Sequence, residues 1–220
     1  AGTDRRLADT DEEGVDDYQE VAVDDTVPTS ALSPLTDRVL SFSAALPATS
    51  TYVALPQQGR FALAQWTIEA WIDPTALDTT NYDNSIIIRR ALDMANTPVP
   101  GVATMFTFEL GLNPTNLATN AFVPYVKTTG GSGTYTVEAT DIGALTTGAW
   151  NHVAATYSGT DGYLRLYVNG VQVASDRIAD TPRTTGPNVV TRVGENFQGN
   201  IDDLRIWSSV RTAAQIAGNM

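Results

Sequence analysis

The side chains best suited to chemistry in this sequence are carboxylates. Cleavage of a glycosidic bond uses two of them around the scissile bond, one as acid and one as nucleophile or base. Glu69 and Asp73 lie four residues apart, and Asp202 adjoins Asp203. Along an extended chain adjacent side chains point to opposite faces, so neither arrangement puts an acid/base pair on a common face at neighbouring positions. His152 is the only histidine, and a histidine-based triad or a histidine-rich metal site would rest on it alone. Ser158, Ser208 and Ser209 have no base close by in sequence. Gly130, Gly131, Ser132 and Gly133 are followed by neither a Lys-Ser/Thr pair nor a helix, so they read as a loop and not as a phosphate cradle. An enzyme is not expected.

Bulk composition narrows the partners. The 220 residues carry a net charge of −12 and a single lysine, Lys127, so nucleic acid and anionic membrane would be repelled. There is no cysteine, which excludes disulfides and thiolate metal sites. No apolar run approaches the ~20 residues that cross a bilayer. Asn113 heads an Asn-Pro-Thr that proline disqualifies as a glycosylation acceptor.

The elements that must position these residues are strands and turns. Residues 66–72 alternate, with Ile68, Ala70 and Ile72 on one face, and Asp73-Pro74 closes the run. Residues 150–157 and 163–168 alternate likewise around a glycine-containing turn, and Asn169-Gly170 signals a hairpin into Val171-Gln172-Val173. Residues 201–207 form one more strand, and 212–220 have the composition of a terminal helix. With no long helix between strands, an antiparallel sandwich is favoured over a parallel α/β sheet. Residues 1–37 differ: carboxylates crowd from Asp9 to Asp25, while Val21 and Val23 alternate as in a short strand. This acidic extension is read as a linker or as a strand that pairs with this domain or with another copy.

Five segments, in order, resemble the laminin-G-like family of the concanavalin-A-like superfamily, whose pentraxin branch shares the sandwich. They are residues 38–42 with 52–55, residues 66–74, residues 150–157, residues 164–170, and residues 197–207. The resemblance implies an all-β, two-sheet antiparallel jelly roll over residues 38–220, with a short C-terminal helix after an acidic N-terminal extension. It also implies a secreted or surface-exposed, non-catalytic module that recognises a carbohydrate or a surface protein. Two alternatives stay open. One is a structural subunit of a surface appendage or virion, self-associating through its N-terminal extension as a homo-oligomer or filament. The other is a glycoside hydrolase.

The same resemblance implies calcium, held by an acidic residue at the start of the last strand together with backbone carbonyls. Asp202 occupies the matching place. If it shares a face with Leu204 and Ile206, its carboxylate points inward, where a cation would satisfy it. A pentraxin-type rim site would use Asp93 and Asn96. For ligands, the inward set leaves Glu69, Trp71, His152, Arg165, Tyr167, Arg205 and Trp207 outward, where aromatics beside charge suit sugar rings. A covering helix over Trp207 and a Glu69 to Arg205 pair are the structural alternative. The rim loops at 78–85 and 93–101 add Asp78, Asn81, Tyr82 and Asp83 as ligand candidates.

Overall fold

A computed structural model describes residues 39–43, 51–77, 85–94, 104–116, 121–140, 145–178 and 180–220. The acidic stretch of residues 1–37, the strand expected within it, and Asp78, Asn81, Tyr82, Asp83 and Asn96 lie outside the described residues.

Alternating apolar residues build two antiparallel sheets that face one another. One sheet orders β1 (Leu40–Phe42), β13 (Gln198–Trp207), β3 (Trp66–Ala76), β9 (Asn151–Tyr157), β10 (Tyr163–Val168) and β11 (Val171–Arg177). The other orders β2 (Val53–Leu55), β12 (Val190–Val193), β4 (Ser85–Ala91), β5 (Phe106–Asn116), β6 (Ala121–Thr129) and β7 (Thr134–Glu138), with β8 (Leu145–Thr146) also on β6. Among the described residues the helical turns are a 3₁₀ turn, Gly59–Phe61, and α1, Ala213–Ala217, and no helix is long and apolar enough to cross a membrane. The expected two-sheet sandwich with a short terminal helix is the fold observed.

The inner faces meet in one core. Ile68, Ala70, Ile72, Val153, Ala155, Leu164, Leu166 and Ile201 from the six-stranded sheet join Ile88, Phe108, Leu110, Leu112, Phe122 and Val126 from the seven-stranded one. Trp66 packs edge-on to Phe108 across the gap, ring centroids 5.8 Å apart. Such a pair adds about 0.5–1.5 kcal/mol beyond its buried area. The Asn169-Gly170 turn takes the left-handed backbone that a two-residue hairpin needs, with φ of 47° and 76°.

The outer face of the six-stranded sheet is packed by the C-terminal segment. Thr212 caps α1 in a capping box with Gln215, and the helix buries Ile216 against Ala154 and Tyr167. Thr67 Oγ1 donates to the Ser209 carbonyl at 2.9 Å and accepts from the Arg211 N–H at 2.9 Å.

Candidate binding face

The strand register sets the geometry of both outer faces. On the six-stranded sheet, Glu69 does point away from the core, yet it is fully buried. Its Oε1 accepts from Trp207 Nε1 at 2.9 Å and from Asn219 Nδ2 at 3.5 Å, and Arg205 Nη1 lies 3.8 Å away. The expectation that Glu69 contacts ligand is therefore corrected: the side chain is fully buried, and the chain's own C-terminal residues engage one of its two carboxylate oxygens. Trp207 stacks under the Arg211 guanidinium at 4.2 Å, as a covered tryptophan should. His152 and Tyr167 are also buried, and Arg165 is paired with Asp161. Trp71 remains half-buried, edge-on to the His152 ring at 5.4 Å.

Burial pushes the His152 imidazole below its ordinary pKa; Glu69 and Asp203 work against that shift and Arg205 with it. The imidazole Nε2 lies 3.9 Å from Glu69 Oε2.

Asp202 corrects a second expectation. Opposite β3, Asp202 pairs with Trp71 and Arg205 with Glu69, so Asp203 and Leu204 together oppose Ala70 alone. This bulge, with Asp203 in the left-handed region at φ 49°, shifts the alternation by one residue. Ile201 takes the inward place and Asp202 shares the outer row with Trp71, half-exposed. The inward carboxylate that called for a cation at Asp202 is absent.

Asp93 is engaged locally. Its carboxylate accepts from the Thr104 and Met105 N–H groups at 3.0 Å and from Thr104 Oγ1 at 2.5 Å. Burial works to raise its pKa, and these hydrogen bonds outweigh it, leaving the group below the usual carboxylate value. Among the described residues no three His, Asp or Glu side chains converge as a metal cluster.

The seven-stranded sheet carries the constellation that sequence reading missed. Its register aligns Ala54, Arg192, Arg89, Glu109, Lys127 and Thr136 in one row across β2, β12, β4, β5, β6 and β7. Phe108 and Leu110, flanking Glu109, belong to the core, so this row lies on the outer face. Arg89 is the hub: Nη2 sits 2.6 Å from Glu195 Oε2 and Nη1 3.6 Å from Glu109 Oε2. Glu109 Oε1 also accepts from Tyr125 Oη at 2.8 Å and from Lys127 Nζ at 3.2 Å. Arg192 Nη1 donates to Glu195 Oε1 at 2.8 Å, and its guanidinium lies 4.1 Å from the Tyr52 ring centroid. Arg89, Glu109 and Glu195 are buried, while Lys127, Arg192 and Tyr52 are partly exposed at the ends of the row.

Chemically, this is a set of cationic and aromatic groups held in place by two buried glutamates. Both glutamates are engaged by neighbouring cations, so neither stands free as an acid beside a nucleophile. The row presents planar and ammonium donors next to an aromatic ring, the equipment for hydroxyl-rich ligands.

Residues 47–217 match the laminin G sequence profile of the concanavalin A-like lectin/glucanases superfamily. The CBM40 module of the Ruminococcus gnavus IT-sialidase, bound to alpha2,3 sialyllactose, has the same fold at 16% identity and TM-score 0.60, over 82% of this chain and 95% of that one. Domain 4 of AbnA, a GH43 extracellular arabinanase from Geobacillus stearothermophilus in complex with arabinotriose, aligns at 24% identity and TM-score 0.51, over 82% and 74%. No curated protein sequence matches the chain. The profile spans most of the chain and the paired antiparallel sheets are of its kind: the chain belongs to the concanavalin A-like lectin/glucanases superfamily.

Proposed function

We propose that this chain is a non-catalytic carbohydrate-binding module of an extracellular protein, and that it binds through the outer face of its seven-stranded sheet. The observation that carries the reading is the contrast between the two outer faces. One is filled by α1 and the residues around it, with Ile216, Trp207 and Asn219 seated on the sheet. The other bears the Arg192–Arg89–Glu109–Lys127 row, whose inner members are buried and whose Arg192 and Lys127 reach solvent. Fold neighbours with sialyllactose and arabinotriose bound support the ligand class.

Arg192 and Lys127 are the contact residues in this reading. Each is anchored to a buried glutamate, which limits the rotamer entropy lost when a sugar hydroxyl is bound. The Arg192 guanidinium lies over the Tyr52 ring, a cation–π contact that restrains it further. Affinity electrophoresis through gels containing soluble arabinan, sialylated glycoprotein or other polysaccharides tests the proposal. Retardation by at least one polysaccharide, lost in the Arg192→Ala/Lys127→Ala double variant, is expected. Equal mobility in every gel would overturn it.

A further inference from the structure

The two buried arginines of β4 are neighbours in sequence and are treated oppositely. Arg89 faces outward and meets Glu109 and Glu195. Arg90 is equally buried, 6% exposed, and meets no carboxylate among the described residues. The register pairs Arg90 with Thr191 and Phe108, and Thr191 with Leu55, so the guanidinium lies on the inner side of the seven-stranded sheet. There Nη1 donates to Thr107 Oγ1 at 2.7 Å and to the Thr184 carbonyl at 3.0 Å. These are neutral acceptors. They satisfy one nitrogen and, among the described residues, leave the positive charge uncompensated, an expensive condition for a buried ion.

Arg90 opens onto a cleft of about 200 Å³ lined by Gln57, Gln58, Gly59, Val189 and Thr191. Gln57 Nε2 donates to the Val189 carbonyl, tying the 3₁₀ turn region to the strand entering from the other side. The remaining lining is uncharged and mixed: two amide side chains, a hydroxyl, a glycine backbone and the apolar Val189. Typical sites for whole small molecules run from about 300 Å³ upward, so this cleft fits a single charged group and not an oligosaccharide. Burial also draws the Arg90 pKa down, the direction expected of a cation that lacks a counter-charge.

We infer that the Arg90 cleft is an oxyanion site, which takes one carboxylate or sulfate group from solution. Guanidinium suits this task because its planar fork donates two parallel hydrogen bonds to such a group, and Nη1, held by Thr107 and Thr184, fixes the plane. The anion has two chemical sources: a free inorganic ion, or an acidic substituent on a glycan. The inference stands independently of the carbohydrate reading, since it rests on the opposite side of the sheet from Arg192 and Lys127.

Isothermal titration of the full chain with sodium sulfate, sodium galacturonate and the uncharged methyl ester of galacturonate tests it. Sulfate and galacturonate should bind and the ester should not. Galacturonate binding at least about tenfold tighter than sulfate would assign the glycan source, and the reverse order the inorganic one. In Arg90→Gln, binding of both anions should weaken by roughly tenfold or more, and Arg90→Lys should fall between. Arg90→Gln removes an unpaired buried charge, so it should fold with a Tm at or above that of the parent; a poorly folded Arg90→Gln leaves Arg90→Lys and the ester comparison to decide. No binding of either anion to the parent chain, or binding that survives in Arg90→Gln, would overturn the inference. Retardation by neutral polysaccharide is not expected to change in these variants, which separates this site from the outer row.

Discussion

Trp207 donates its indole N–H to Glu69 Oε1 at 2.9 Å, joining strands β13 and β3 on the face that α1 covers. The carboxylate is fully buried, with Asn219 and Arg205 on the side of Oε1 and His152 on that of Oε2. Trp207→Phe should lower stability by about 1–3 kcal/mol, because it leaves a buried charged acceptor short of its best donor. Glu69→Gln keeps an acceptor and should lose less. Urea denaturation measures both, and a Trp207→Phe midpoint equal to the parent's would show that the bond contributes nothing.

The single histidine gives a clean pH signature. Burial holds the His152 pKa below its unfolded value near 6.5, so between those two values the unfolded chain binds more protons. Stability is therefore full above about pH 6.5 and declines as pH falls through that value toward the folded pKa. The groups facing His152 are Glu69, Arg205, Asp203 and the Trp71 ring. Tm should drop between pH 7.5 and 5.5, and His152→Gln should flatten that slope. A slope unchanged in His152→Gln would assign it to carboxylates instead.

Gly194 sits at φ 74°, and a methyl group there would overlap the Phe42 ring. Gly194→Ala combines a left-handed backbone cost of about 1–2 kcal/mol with overpacking of about 1–3 kcal/mol. A loss of several kcal/mol is expected by chemical denaturation, with the edge strand β1 loosened. A neutral substitution would mean that Phe42 does not hold its place between Gly194 and Phe197.

The strands of the six-stranded sheet were largely legible, because residues 66–72, 150–157 and 163–168 alternate without interruption. The bulge at Asp203 was not. Ile201-Asp202-Asp203-Leu204-Arg205-Ile206 alternates acceptably in either register, and only the pairing of Asp202 with Trp71 and Arg205 with Glu69 reveals the extra residue. Outward direction was read correctly for Glu69 and His152, but alternation says nothing about what lies over a face. The charged row escaped because its members come from four strands and meet only through sheet pairing. One signal was present: Phe106, Phe108, Leu110 and Leu112 alternate, which places Glu109 on the opposite face. In β4 the run Ile86-Ile87-Ile88 carries no alternation, and a register shift there hides the side that Arg89 takes.

The outward turn of Asp202 has its own test. With the carboxylate on the outer face and its Oδ1 accepting from the Asp203 N–H at 2.8 Å, Asp202→Asn should change stability by no more than about 0.5 kcal/mol. Thermal melts in calcium and in chelator should coincide. A calcium-dependent rise in Tm that disappears in Asp202→Asn would restore a cation to this residue by mass action.

The binding face itself is tested most directly by titrating the best polysaccharide from the gel screen against three proteins: the parent chain, Arg192→Ala/Lys127→Ala, and Arg165→Ala. Arg165 lies on the six-stranded sheet in an exposed pair with Asp161, which such pairs make worth only about 0.2–1 kcal/mol. The account predicts that Arg165→Ala binds like the parent while the double variant, still folded by circular dichroism, loses roughly tenfold or more in affinity. Full affinity in the folded double variant, or a loss confined to Arg165→Ala, would contradict it.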